Sequence, residues 1–147
     1  MTCDLTARQR EGNRLLAGPQ RHTLIYGGSR SGKTFLFVRA VIARACKAPG
    51  SRHLIGRQHQ NAVRSSIGLD TFPTVVKAGW PDLWPRIKEH RQDGYYELPN
   101  GSEIWLGGFD DKDRVDKVLG REYATIYLHE ASQISYDAAL TVLTRLA

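Results

Sequence analysis

Apolar and polar positions divide the chain into short blocks of changing period. "LTARQREGNRLLAG" has helical spacing, Thr6 followed by Gln9 fits a capping box, and Gly18-Pro19 closes the segment. "HTLIYGG" predicts a short apolar strand that runs into glycines. "KTFLFVRAVIARACK" predicts a strong helix with Leu36, Ala40, Ala43 and Cys46 among its apolar positions, ended by Pro49-Gly50. "RHLIGR" predicts a second strand, "QNAVRSSIGLDTF" a helix that stops before Pro73, and "AGWPDLWP" a loop. "RIKEHRQDGYYELPNGSEIWLGGF" carries turn signals at Asp93-Gly94 and Asn100-Gly101, which predicts an antiparallel hairpin or meander. "ATIYLH" predicts a buried strand, and "SYDAALTVLTRLA" a helix capped by Ser135. Alternating strands and helices point to an α/β domain with a largely parallel sheet.

Composition narrows the class without naming a function. The 147 residues suffice for one domain, residues 1–147, with 41% apolar and 24% charged content typical of globular chains. No stretch approaches the roughly 18 apolar residues of a membrane span, and "MTCDLTARQR" has no apolar signal region, so no membrane association or secretion is expected. Cys3 and Cys46 stand far apart without ligand-like spacing, so neither a disulfide framework nor a zinc site is expected. The net charge of +6, with Arg exceeding Lys, suits a polyanion such as nucleic acid, but equally a merely soluble surface. Trp80, Trp84 and Trp105, with Tyr95 and Tyr96, read as packing residues rather than base-stacking ones.

"GGSRSGKT" changes the picture. It follows a predicted strand, opens a predicted helix, and matches G-x-x-x-x-G-K-[ST] at Gly27, Gly32, Lys33 and Thr34. Glycines let the backbone fold tightly enough to aim its N–H groups at phosphate oxygens. The helix N-terminus adds partial positive charge, Lys33 reaches the β- and γ-phosphates, and Thr34 offers a hydroxyl to Mg²⁺. Residues Gly27, Gly28, Ser29, Arg30, Ser31, Gly32, Lys33 and Thr34 are therefore the expected binding loop for ATP. Arg30 is either an arginine finger supplied in cis or a solvent-facing loop residue.

The strand "ATIYLHE" ends in His129 and Glu130. A phosphate-loop ATPase needs an acidic site on a neighbouring strand, commonly an Asp near Mg²⁺ and then a Glu that polarises the attacking water. Glu130 fits the catalytic carboxylate or the metal-facing one. His129 occupies the Asp position, where neutral imidazole is a poor ligand for hard Mg²⁺ but can accept a hydrogen bond from a metal-bound water. A zinc site lacks further suitably spaced ligands.

With both motifs in place, the chain resembles the N-terminal ATPase part of a large terminase subunit, the DNA-packaging motor of tailed bacteriophages. "LTARQ" resembles that family's adenine-contacting segment, "GGSRSGKT" its Walker A motif with the internal Arg, and "LPNGSEIWLGGFDDKDRVDKVLGREYATIYLHEASQIS" its hairpin, Lys-x-x-Gly step and Walker B strand. The resemblance implies a P-loop NTPase three-layer α/β sandwich, with a mainly parallel sheet plus an antiparallel hairpin. It implies Gln9 at adenine, Lys33, Arg30 and Glu130 as catalytic residues, and ATP with Mg²⁺ held by Thr34, Glu130 and, through water, His129. It implies double-stranded DNA, a small terminase subunit and a portal protein as partners of a homo-oligomeric ring in the host cytoplasm. Arg121 is a candidate for an arginine completing a neighbour's site, and a nuclease belongs to the full-length protein. The family's coupling motif, on the strand after Walker B, is not found, so an incomplete domain is expected. Two other readings stay open: another P-loop NTPase such as a helicase-like protein, and a nucleotide-dependent DNA-binding module whose hydrolysis is weakened by His129.

Overall fold

The computed structural model describes residues 4–28 and 30–147; Cys3, and Ser29 of the glycine loop, lie outside the described residues. Helix α1 (Ala7–Leu16) opens on the expected capping box. Thr6 Oγ1 accepts from Gln9 N at 3.2 Å, and Gln9 Oε1 accepts from Thr6 N at 3.0 Å. Helix α2 (Lys33–Lys47) follows the glycine loop, and its buried stripe is Leu36, Val38, Val41, Ile42 and Ala45. That stripe is rotated from the expected one, because α2 packs against both α1 and the sheet and buries its β-branched positions there.

Five strands form one sheet in the order β2-β3-β4-β1-β5. They are β1 (Arg52–Arg57), β2 (Lys88–His90), β3 (Tyr95–Glu97), β4 (Glu103–Gly108) and β5 (Thr125–Leu128). β4, β1 and β5 are parallel, while β2, β3 and β4 form the expected antiparallel meander. The register sets Leu54 between Trp105 and Ile126, and Ile55 between Leu106 and Tyr127. Both faces of β1 are covered, so its four inner residues are all buried and the strand reads as a continuous run. Helices α2 and α4 (Phe72–Gly79) cover one face over a core of Val38, Ile42, Ile55, Phe72, Ile104 and Tyr127. Helices α5 (Lys112–Leu119) and α6 (Tyr136–Leu143) cover the other, over Leu54, Trp105, Val118, Tyr123 and Val142. The three-layer architecture is as expected.

Four local expectations fail, each for a physical reason. Residues 23–28 form no strand, and Leu24 and Tyr26 are 80% and 88% exposed. An apolar run becomes a strand only beside a free edge. None of the five strands pairs with residues 23–28, and residues 145–147 bridge in parallel to Tyr123, just ahead of β5: Tyr123 N donates to Arg145 O at 2.8 Å, and Ala147 N to Tyr123 O at 2.9 Å. Pro73 does not stop a helix. α3 (Gln60–Val63) continues through a π-helix, Arg64–Thr71, and Pro73 sits in the first turn of α4, where its missing N–H costs little. The expected loop "AGWPDLWP" leads into a 3₁₀ turn, Trp84–Arg86. Helix α5 was not anticipated, although Asp111 caps it by accepting from Arg114 N at 2.9 Å.

Candidate functional site

The glycine loop leaves the sheet face at the N-terminus of α2. Gly27 and Gly32 have φ of +153° and +78°, which side chains with a Cβ resist. A Cβ at Gly32 would also lie 2.4 Å from Gln9 Nε2, which donates to Gly32 O at 3.4 Å. Gln9 is thereby placed at the loop through its other amide end while Oε1 serves the capping box. Arg30 is exposed with φ +57°, a left-handed non-glycine residue within the loop.

Lys33 Nζ donates to Gly27 O at 2.9 Å, Gly28 O at 2.6 Å and Ser31 Oγ at 2.8 Å. All three ammonium protons are thus held inside the loop. The donor set fits a triphosphate: a compact cation and a left-handed glycine turn stand at the N-terminus of a 15-residue helix.

Opposite the loop lies the C-terminal end of β5. Tyr127 and His129 alternate with Leu128, so both side chains point towards α2. The Tyr127 ring stacks on Phe37 of α2, centroid to centroid at 4.2 Å, and Tyr127 Oη lies 2.8 Å from His129 Nδ1. Burial pushes the Tyr127 phenol far up. Burial lowers the His129 pKa, Glu130 opposes the shift, and the positive charges of Arg57 and Lys33 add to it. Imidazole is therefore neutral at pH 7. The Phe37–Tyr127 stack thus joins the helix that opens with Lys33 and Thr34 to the strand that leads into His129 and Glu130.

Glu130 stands where the strand turns into a 3₁₀ helix, Ala131–Gln133, with φ +51°. Its Oε2 accepts from Arg57 Nη2 at 2.6 Å, and its Oε1 lies 4.0 Å from His129 Nε2. Arg57 ends β1, beside β5, and its Nη1 donates to Ser66 Oγ of the π-helix at 3.2 Å. Arg57 and Tyr127 went unnoticed in the sequence. The strand-end reasoning that singled out His129 and Glu130 applies equally to "RHLIGR", whose last residue is a cation. Among the described residues no group of three or more His, Cys, Asp or Glu side chains is placed to hold a metal ion. Mg²⁺ does not need one, since it usually takes one or two protein oxygens together with water and phosphate. Arg121 lies on the opposite face of the sheet, its guanidinium 3.9 Å above the Trp105 ring, and is engaged within its own chain.

A three-layer α/β sheet, a glycine loop feeding a helix and a carboxylate at the end of a neighbouring strand define a P-loop nucleotide-binding fold. A family model described as terminase large subunit, T4likevirus-type, N-terminal, matches residues 24–147. The chain belongs to that family. It is similar in fold to the large terminase from a thermophilic bacteriophage, at 19% identity and a TM-score of 0.70 over 82% of this chain and 30% of that one. The complex of that phage protein with ADP, in another crystal form, gives 18% identity and a TM-score of 0.65, over 81% of this chain and 29% of that one. The chain thus spans about a third of the length of the solved structures it matches. A comparison with curated proteins finds no match.

Proposed function

We propose that this chain is the ATP-binding and hydrolysing segment of a DNA-packaging motor that acts on double-stranded DNA in the host cytoplasm, within a ring joined by a small terminase subunit and a portal. The observation that carries the reading is the packing of α2, which opens with Lys33 and Thr34, on β5, which leads into His129 and Glu130, through the Phe37–Tyr127 stack. ADP in the complex of the thermophilic phage terminase supports a nucleotide ligand.

In this reading the loop amides from Gly27 to Thr34 and the Lys33 ammonium take the β- and γ-phosphates, Lys33 exchanging its contacts on Gly27, Gly28 and Ser31 for phosphate oxygens. Gln9 holds adenine, and Arg30 swings to the γ-phosphate as charge develops there. Thr34 and Glu130 would hold Mg²⁺, with His129 close by, and the bound ion would supply charge neutralisation for the phosphates. Glu130 orients the attacking water once it shares or leaves Arg57. Family membership supports the ring, DNA and portal of this reading.

The test is equilibrium binding of Mg²⁺ with a fluorescent ATP analogue, then turnover with and without DNA. Lys33→Ala should weaken binding at least tenfold, and unchanged affinity would sink the nucleotide reading. Glu130→Gln should keep binding within about threefold and lower turnover more than about a hundredfold. Turnover that rises in His129→Asp marks a hydrolytic site weakened by the imidazole; turnover that falls marks His129 as part of the working site.

A further inference from the structure

Charge is distributed unevenly along the chain. Residues 1–69 hold 12 of the 21 Lys and Arg side chains but only Asp4 and Glu11 of the 15 carboxylates. Beyond the loop cation Lys33, helices α1 and α2 carry Arg8, Arg10, Arg14, Arg39, Arg44 and Lys47, against the single carboxylate Glu11. The fold lays the two helices side by side in the same direction. Gln9 Nε2 donates to Gly32 O at 3.4 Å, Arg39 Nη1 to Asn13 Oδ1 at 3.4 Å, and Arg44 Nη2 to Leu16 O at 2.6 Å. The six cations therefore share one layer, on the sheet face opposite α5 and α6.

None of the six meets a carboxylate within its own chain. Arg8, Arg14 and Lys47 are exposed and make no side-chain hydrogen bond among the described residues, while Arg10, Arg39 and Arg44 reach only neutral oxygens. By contrast Arg52, Arg57, Arg91 and Arg114 are each paired with Asp or Glu. On the opposite face, residues 110–117 set four aspartates against Lys112, Arg114 and Lys117. The helix dipole accounts for basic residues in last turns, Arg14 of α1 and Arg44 and Lys47 of α2, but not for Arg8, Arg10 and Arg39. Like charges gathered in this way repel one another and attract a polyanion. From Arg39 to Lys47 the helix advances roughly 12 Å, a length over which duplex DNA presents about seven phosphate charges. Helix α1 has no aromatic residue, and Phe35 and Phe37 of α2 pack against the core, so the layer has no platform for unstacked bases. The phosphates of an intact duplex fit it better than a single strand.

We infer that the α1–α2 layer docks the phosphate backbone of duplex DNA without reading its sequence. The choice of duplex DNA as the polyanion rests on the motor reading above; the surface itself rests on its unpaired cations. Arg14 and Lys47 are the positions to test, because both are exposed and neither holds a partner in its own chain.

The experiment is fluorescence anisotropy of a labelled mixed-sequence duplex of about 30 base pairs with the whole chain and no nucleotide, between about 50 and 200 mM salt. Wild type should bind with a slope of log K against log salt of roughly −5, from six cations at about 0.9 each. Arg14→Gln with Lys47→Gln should flatten that slope by about 2 and weaken binding at least about tenfold near 100 mM salt. Lys88→Gln with Lys112→Gln removes the same net charge from β2 and α5 and should leave the slope within about 0.5 of wild type. Gln is a good helix former, so the α1–α2 pair keeps its fold; should that double unfold, Arg8→Gln reads the same slope with a change of about 1. Equal losses in the two doubles mean that binding follows net charge alone and overturn the proposal. So does a wild type that binds no duplex, or poly-glutamate that competes as well as unlabelled duplex at equal charge, which hands the layer to an acidic protein face. A fluorescent ATP analogue with Mg²⁺ in a parallel titration reads the other claim. Nucleotide binding without duplex binding sinks this inference alone, and duplex binding without nucleotide binding sinks the nucleotide reading alone.

Discussion

At the residue scale, two side chains sit in conditions that their types resist. Glu130 has φ +51°, a left-handed conformation that costs a non-glycine residue about 1–2 kcal/mol. Glu130→Ala and Glu130→Gly both lose the ion pair with Arg57, and differ chiefly in that backbone cost. Glu130→Gly should therefore unfold at higher urea concentration than Glu130→Ala, by about 1 kcal/mol, with both losing turnover. Equal midpoints would mean the turn relaxes in solution. The second is His53, buried at 1% exposure in the middle of the sheet, with Nε2 2.8 Å from Ser51 Oγ and Nδ1 without a partner. Burial, then the charge of Arg44, lowers its pKa to about 4 from 6.5. The folded pKa is depressed, so the unfolded chain binds more protons between those values. This contribution is whole above pH 6.5 and lost as pH falls towards 4. The loss from pH 7 to pH 5 is about 2 kcal/mol. Urea titrations at the two pH values should show that extra loss in wild type and not in His53→Leu, whose carboxylates are the same.

At the scale of elements, α2 carries the glycine loop at one end and is held at the other by a turn distant in sequence. Asn100 Nδ2 donates to Ala45 O at 2.8 Å and lies 3.3 Å from Cys46 O, and Asn100 Oδ1 accepts from Ser102 N at 3.0 Å. Ser102, fully buried, lies 2.9 Å from the Ala45 and Ala48 carbonyl oxygens. The β3–β4 turn thus satisfies carbonyls that the end of α2 leaves open. Asn100→Ala should cost about 1–3 kcal/mol in urea unfolding. Asn100→Asp should cost more, since it sets a carboxylate against two carbonyl oxygens. If Asn100→Asp proves the milder change, the turn does not cap the helix as described. The capping boxes and turn glycines of this level were legible in the sequence, because each is a local hydrogen-bond pattern. The passage through Pro73 was not, since a π-helix depends on what packs around it: Tyr96 Oη donates to the Gly68 carbonyl from across the sheet.

For the whole molecule, protection is set by position in the sheet. β1 is paired on both sides and buried on both faces, whereas residues 23–28 have no ladder partner. Amide exchange should be slowest in β1 and β4 and fast at residues 23–28. Bound nucleotide should slow exchange from Gly27 to Phe35 and leave β1 unchanged. Uniform protection across these segments would contradict the sheet order.

The sequence by itself determined the glycine loop, the strand-end carboxylate and most elements. A glycine loop before a helix, an apolar strand ending in a carboxylate, and Asp-Gly and Asn-Gly turns are local patterns whose physics is complete within a few residues. It also carried the family resemblance, which rests on the order of those patterns. Only the tertiary structure decided the state of "TLIYGG" and the partners of His129 and Glu130. An apolar run becomes a strand only when another strand pairs with it, and none of the five strands pairs with residues 23–28. Arg57 and Phe37 come from elements 73 and 90 residues before Glu130 and Tyr127, respectively. Pairings over such distances exist only once the sheet has formed, so the role of an imidazole at that strand end lies in its neighbours.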